Sequence, residues 1–178
     1  MYPFLRMAFK LFRSRRQPAI GPLDTHISHH ICWPWDIDPW CELNNGRTLT
    51  LYDLGRLPMA RRSGLIRLLI NNKWSITIAG ASVRYRRRIR MFERIEMRSR
   101  VVGWDERFIY MEQSMWKRSG DCANHILLRN AVTSAEGIVP PDKVAQAFEF
   151  KGPPPGLPDW ITAWTTAEAQ RPWPPMQD

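Results

Sequence analysis

A change of hydrophobic period constrains the fold of this chain more than any other feature. In residues 46–57, Arg47, Thr50 and Asp53 recur every three positions, while Leu49, Leu51, Tyr52, Leu54 and Gly55 fill the remaining faces. A helix with so narrow a polar stripe is buried on most sides. Beyond Trp74 the period falls to two. Val83, Tyr85 and Ile89 alternate with Arg84, Arg86, Arg88 and Arg90, then Ile95, Met97 and Val101 alternate with Glu96, Arg98 and Arg100. Side chains of a strand point to opposite faces in turn, so this is the pattern of half-buried strands. Residues 108–116 and 122–133 continue as strands, separated by turn signals at 104–107 and 118–121. An antiparallel meander of four strands is expected, preceded by a strand over residues 25–35. Such strands cannot bury their apolar face alone, and the helix is the partner available. The fold class is therefore α+β, a five-stranded antiparallel sheet wrapped around a central helix.

Breaks in the pattern divide the chain. Pro58 removes a backbone donor and disfavours helix at Leu57, so the helix is expected to kink or restart there, with a second piece reaching about residue 71. Residues 1–23 form a basic, apolar arm that ends in turn formers at Pro18, Gly21 and Pro22, and residues 24–150 form the domain. Residues 151–178 form a Pro- and Trp-rich tail, expected to lie over a dimer. A short helix is expected over 142–148, and another capped by Asp159 with Trp160 and Trp164 one turn apart.

The net charge of +9 suggests nucleic acid until its distribution is read. Residues 1–23 carry five basic and no acidic side chains, residues 84–100 carry eight arginines against two glutamates, and the rest of the chain is slightly acidic. No nucleic-acid-binding motif accompanies either patch, so nucleic acid is not an expected partner. The first patch pairs its charges with Tyr2, Phe4, Leu5, Met7, Phe9, Leu11 and Phe12. That composition suits a helix lying at a membrane surface, or an arm packed on the domain or a neighbouring subunit. Basic residues interrupt it and Arg13 to Arg16 follow where an export cleavage site would be, so export is not expected. No run of about 20 apolar residues spans a bilayer. Cys32, Cys41 and Cys122 have neither disulfide-framework nor zinc-knuckle spacing, which fits a reducing, cytoplasmic setting.

The segment with most chemical content runs from Asp36-Ile-Asp38 through Asn44-Asn45-Gly-Arg-Thr48 to Asp53 and Arg56. It resembles the signature of the 4-hydroxybenzoyl-CoA-type acyl-CoA thioesterases, D-x-D-x-x-G-H-x-N-N-x-x-Y followed by a helix with an acid and an arginine. The Asn-Asn-Gly-Arg variant is most similar to the thioesterase-superfamily-member-6 branch. The resemblance covers about residues 25–135 and implies a hotdog fold, acyl-CoA as substrate, no cofactor, and a homodimer or larger homo-oligomer. It also implies that Asp38 acts on the thioester carbonyl, as nucleophile or by activating water, and that the Asn45 amide polarises the carbonyl oxygen. A helix start suits that task by itself, because its first N–H groups are unpaired and carry about half a positive charge.

This chain departs from the signature with Cys41-Glu42 in place of glycine-histidine and Thr48 in place of tyrosine. Glu42 brings a second negative charge near Asp38, where it either shares the base role or leaves a weak or inactive protein that binds acyl groups or a protein partner. Asn44, Arg47 and Thr48, around the helix start, are candidate substrate contacts. So are Arg84, Arg86 and Arg88, placed by alternation on one strand face, where they would either receive the phosphates of coenzyme A or form a solvated surface. Asp53 lies about 12 Å along the axis from Asn45 and is expected to pair structurally. His26, His29 and His30 lack a completing ligand, so no metal is expected, and His125 is expected to be an ordinary strand residue.

Overall fold

The computed structural model describes residues 2–176. In chain order it contains α1 (Phe4–Ser14), β1 (His26–Ile31), a single 3-10 turn (Pro34–Asp36), α2 (Asn45–Arg62), α3 (Leu65–Asn71), β2 (Ser75–Tyr85), β3 (Arg94–Trp104), β4 (Ile109–Lys117), β5 (Cys122–Ser134), β6 (Gly137–Val139), α4 (Pro141–Ala147) and α5 (Asp159–Ala169). Strands β1, β3, β4, β5 and β2 lie side by side in that order, all antiparallel, with the short β6 added beside β5. The sheet curls around α2, which is the hotdog arrangement.

The axial helix is buried as its narrow polar stripe requires: Thr48, Leu51, Tyr52, Leu54, Gly55, Pro58, Met59 and Ala60 are inaccessible. Gly55 sets the approach to the sheet, because a Cβ there would lie 2.5 Å from Met97 Sδ and 3.1 Å from Ser99 Oγ. Leu51, Leu54 and Met59 pack with Ile95, Met97, Met111 and Met115 into the principal core. Gln113 ties helix to sheet, its amide donating to Tyr52 O at 3.0 Å and Ser99 Oγ at 2.8 Å.

Three sequence expectations are corrected. Pro58 does not end α2, which runs on to Arg62. The proline deprives Leu54 O of its usual donor, but its ring is buried among neighbours, and that packing outweighs the local preference. The restart comes at Gly64, whose φ of 84° suits glycine. The four strands are also not a simple meander: β3, β4 and β5 form one, whereas β2 crosses to the far side and pairs with β5, Ser75 opposite Thr133 and Tyr85 opposite Asn124. The arginine alternation outruns the strand as well. β2 starts earlier and stops at Tyr85, where Arg86 N and Arg87 N both donate to Ala123 O, at 2.8 and 3.0 Å. Residues 86–93 then leave the ladder to reach β3, anchored by buried Ile89.

The tail packs on its own sheet. Ile161 of α5 is fully buried with Tyr110 and Leu127, and Arg129 lies between the rings of Phe108 and Trp164. Asp159 is the first residue of α5, preceded by Pro158, and makes no side-chain cap. At the other edge α1 lies against α2, burying Met7 and Ser14. Arg6 donates to Ile31 O at 3.0 Å and Lys10 donates to His29 O, so α1 occupies the free side of β1.

Candidate active site

The loop between β1 and α2 carries two aspartates with different surroundings. Asp36 is fully buried. Its carboxylate accepts from Arg6 Nη1 at 2.7 Å, Arg47 Nε at 3.1 Å, Arg47 Nη2 at 2.6 Å and Trp33 N at 3.1 Å, and its carbonyl accepts from Asn44 N at 2.9 Å. A buried carboxylate needs this many partners, and two guanidiniums satisfy it. Asp36 therefore joins α1, the 3-10 turn and the first turn of α2. Arg47, expected at the substrate, forms an ion pair with Asp36.

Asp38 is half-buried and sits in a tight turn. Its N–H donates to Glu42 O at 2.8 Å, and its Oδ1 accepts from Trp40 N at 2.9 Å and Glu42 N at 3.3 Å. Cys41 takes a φ of 60° to close the turn. Among the described residues Oδ2 of Asp38 has no hydrogen-bond partner, so one oxygen is held and the other is available. The short bridge between Ile37 and Leu43 closes the loop base and delivers the chain to Asn44.

Asn44 is the N-cap of α2, with Oδ1 accepting from Arg47 N at 3.1 Å. The N–H groups of Asn45 and Gly46 have no acceptor among the described residues. They belong to the free first turn of a buried helix, where an oxyanion is favoured. A pocket of about 210 Å³ opens there, lined by Glu42, Asn45, Thr48, Tyr85, Arg86 and Asn124 among others. Arg88 also lines it, with Nε 2.9 Å from Glu42 Oε2. Glu42 thus faces an arginine.

The structure gathers Glu42, Asn45, Thr48, Arg86 and Arg88 at this pocket, whereas Asp38 is not part of its lining and is linked to it through the Glu42 amide. Asn44 caps the helix, and Arg84 stays exposed on β2 outside the pocket. The arginines arrive on the crossing connection after β2, so strand alternation gave the wrong reason for their grouping. Thr48 is fully buried and its hydroxyl donates to Asn44 O at 3.1 Å. Sequence reasoning missed Tyr85, Asn124 and Tyr52. Tyr52 donates to Asn124 Oδ1 at 2.5 Å, and burial holds its phenol well above the usual range. Burial likewise raises Tyr85, against a hydrogen bond with Thr48. The one signal was an asparagine within the apolar run of β5.

A larger apolar chamber, about 570 Å³, flanks the other half of α2, with Leu57, Ile66, Ile78, Met111, Val144 and Phe148 in its wall. Its lining includes the Asp53–Arg56 ion pair. Burial and the adjoining Asp53 carboxylate push the Tyr2 phenol up to about 12. Asp53 is thus structurally paired.

Of the three β1 histidines, His26 and His30 are buried and His29 is exposed. His26 Nδ1 accepts from Arg62 Nη1 at 2.7 Å, and burial with the nearby Arg62 and Lys10 charges lowers its pKa to about 4. His30 Nε2 lies 2.8 Å from Ser28 Oγ, and burial holds its pKa well below the usual imidazole range. Among the described residues no group of three or more His, Cys, Asp or Glu is placed to hold a metal. His125 has a partner beyond the strand role, Glu112 Oε2 at 3.1 Å.

Residues 32–164 match the family model of the thioesterase-like superfamily. Protein THEM6 of Xenopus laevis is 31% identical over 163 residues, covering 90% of this chain and 77% of that protein. Protein THEM6 of Danio rerio is 32% identical over 113 residues, 64% of this chain and 56% of that protein. Among solved structures, the probable thioesterase YbaW of Escherichia coli superposes with a TM-score of 0.66 at 12% identity, covering 70% of this chain and 96% of that one. A 1,4-dihydroxy-2-naphthoyl-CoA thioesterase of Synechocystis superposes with a TM-score of 0.61 at 10% identity, covering 73% and 100%. At such identities the superpositions establish the fold alone.

Proposed function

Because the chain belongs to the thioesterase-like superfamily, we propose that it hydrolyses an acyl-CoA thioester to a carboxylic acid and free CoA at the junction between the Asp38 turn and the start of α2. The observation that carries this reading is the presence of a carboxylate oxygen without a partner at Asp38 and of free amides at Asn45 and Gly46, seven and eight residues further along the chain. The thioester oxygen lies at the Asn45 N–H, where the negative charge that develops on it is stabilised by the helix start. Asp38 either takes a proton from the attacking water or itself attacks the carbonyl carbon to form a mixed anhydride that water then hydrolyses; in both routes the C–S bond breaks and the CoA thiolate leaves, taking up a proton to become the thiol. Arg86 and Arg88 stand where the CoA phosphates enter, suited to them by fixed forks of N–H donors. Glu42 orients Arg88.

The acyl chain runs along α2 towards the apolar chamber. That chamber is also lined by Ile76, Thr77 and Ile78 of β2, whose outer side pairs with no described strand and whose Ile76 and Ile78 are exposed. A long apolar edge of this kind invites a second strand, so the active form in this reading is a dimer joined along β2.

A second reading, a protein that binds acyl-CoA without turning it over, is favoured by one observation: the pocket at Asn45 is small and Glu42 and Arg88 are paired across its wall. Release of CoA from a panel of aromatic and fatty acyl-CoAs, with Asp38→Ala as control, separates the two. Hydrolysis predicts turnover lost in the variant. Equal rates in variant and parent end the assignment of Asp38, and thermal stabilisation by acyl-CoA without turnover establishes binding alone.

A further inference from the structure

The helix α1 has two faces, and only one is explained by packing. Its inner face buries Met7 and Ser14 and is pinned to the body along its length. Arg6 reaches Asp36 and Ile31 O, Lys10 reaches His29 O, and Arg61 of α2 donates to Leu11 O at 3.2 Å. The outer face carries Phe4, Leu5, Ala8, Phe9 and Phe12, a helical spacing that gathers them into one arc. All are exposed, Leu5 by 88% and Phe4 by 71%. A helix resting on a protein body normally turns such residues inward. Here the anchoring on the inner face prevents the helix from rolling over.

Charge identifies what would cover this arc. Arg13, Arg15 and Arg16 border it, with Arg13 over the Phe9 ring at 5.8 Å and Arg16 over the Phe12 ring at 5.6 Å. Residues 1–23 contain no acidic side chain. A second copy of the chain would bring the same positive border against this one, on a protein of net charge +9. A surface that accepts apolar side chains a few ångströms deep and offers anionic groups at their margin is a bilayer containing acidic phospholipids. No helix among the described residues is long and apolar enough to cross a membrane.

We propose that the outer face of α1 docks on an anionic lipid surface, with Phe4, Leu5, Phe9 and Phe12 entering the boundary between headgroups and acyl chains and Arg13, Arg15 and Arg16 pairing with lipid phosphates. Because Arg6 on the inner face holds the carboxylate that also anchors the start of α2, lipid contact and candidate active site belong to one rigid unit. The protein then meets the membrane with its site at a fixed orientation.

The test is co-sedimentation of the intact chain with vesicles of phosphatidylcholine alone and of phosphatidylcholine with about 30 mol % phosphatidylglycerol. Binding is expected to the anionic vesicles and to weaken as salt rises from about 0.1 to 0.5 M. The double substitution Leu5→Glu with Phe9→Glu is expected to reduce it at least about tenfold. The triple substitution of Arg13, Arg15 and Arg16 by Gln should abolish the preference for anionic lipid. All five side chains are exposed, so thermal melting should stay at the parent value and confirm folded variants. Failure to pellet with anionic vesicles, or undiminished binding by the Leu5→Glu, Phe9→Glu protein, overturns the proposal. So does a fall in oligomer size by light scattering on that double substitution, which would make the arc a protein interface. The readout involves no turnover, so failure here is distinguishable from failure of the hydrolase reading.

Discussion

The two halves of α2 serve different ends. At Asn45 the helix presents free amides to a small pocket edged with charge, beside a turn closed by hydrogen bonds from Asp38, Trp40, Cys41 and Glu42 N–H groups. From Leu57 onward it presents aliphatic side chains to a chamber almost three times as large, with an ion pair in its lining. Reaction chemistry needs directed dipoles fixed within tenths of an ångström, whereas an acyl chain needs only space without water. One buried helix supplies both because its dipole acts only in its first turn.

The contrast breaks most sharply at Asp38. Asp38→Ala should lower kcat/KM for CoA release by about 10²- to 10⁴-fold while leaving thermal stability near the parent value, since the side chain is half-buried and bonded only to its own turn. Its neighbour should behave in the opposite way. Asp36→Ala leaves two guanidiniums in a buried site and should cost about 3–5 kcal/mol in denaturant unfolding, with any loss of activity following the loss of structure.

At the other half of the helix, Ile66→Trp in the chamber wall should reduce turnover of long acyl chains relative to short ones by roughly tenfold, without changing the rate for acetyl-CoA. An equal effect on both would mean that the chamber does not receive the chain. Between the halves, Gly55→Ala should destabilise by about 1–3 kcal/mol, because its Cβ meets Met97 Sδ, and urea titration reads this directly.

The smallest effect is one of pH. His26 is neutral in the folded chain until pH falls to about 4, whereas the unfolded chain protonates it near 6.5. The unfolded state therefore binds the extra proton between those values, so stability should be level above about pH 6.5 and decline as pH falls towards 4. His30, also held low by burial, adds to the slope in the same direction. Urea midpoints measured across that range should show the decline, and His26→Gln should flatten it.

The sequence by itself determined the helix that ends up at the centre, the strand segments around it and the element class, because these follow from local periodicity. The Asp36-Ile-Asp38 and Asn44-Asn45 spacing located the loop and the helix start for the same reason, since neighbours in sequence must be neighbours in space. Tertiary structure alone decided the rest. The place of β2 beside β5 depends on pairing between segments far apart in the chain, and an alternating pattern does not name its partner. That crossing brings Arg86 and Arg88 to the helix start and leaves Arg84 outside. The burial of Asp36 between Arg6 and Arg47, and the exposed apolar face of α1, likewise depend on how helix meets sheet. Pro58 shows the same priority in reverse, a local helix breaker held in helix by the packing around it.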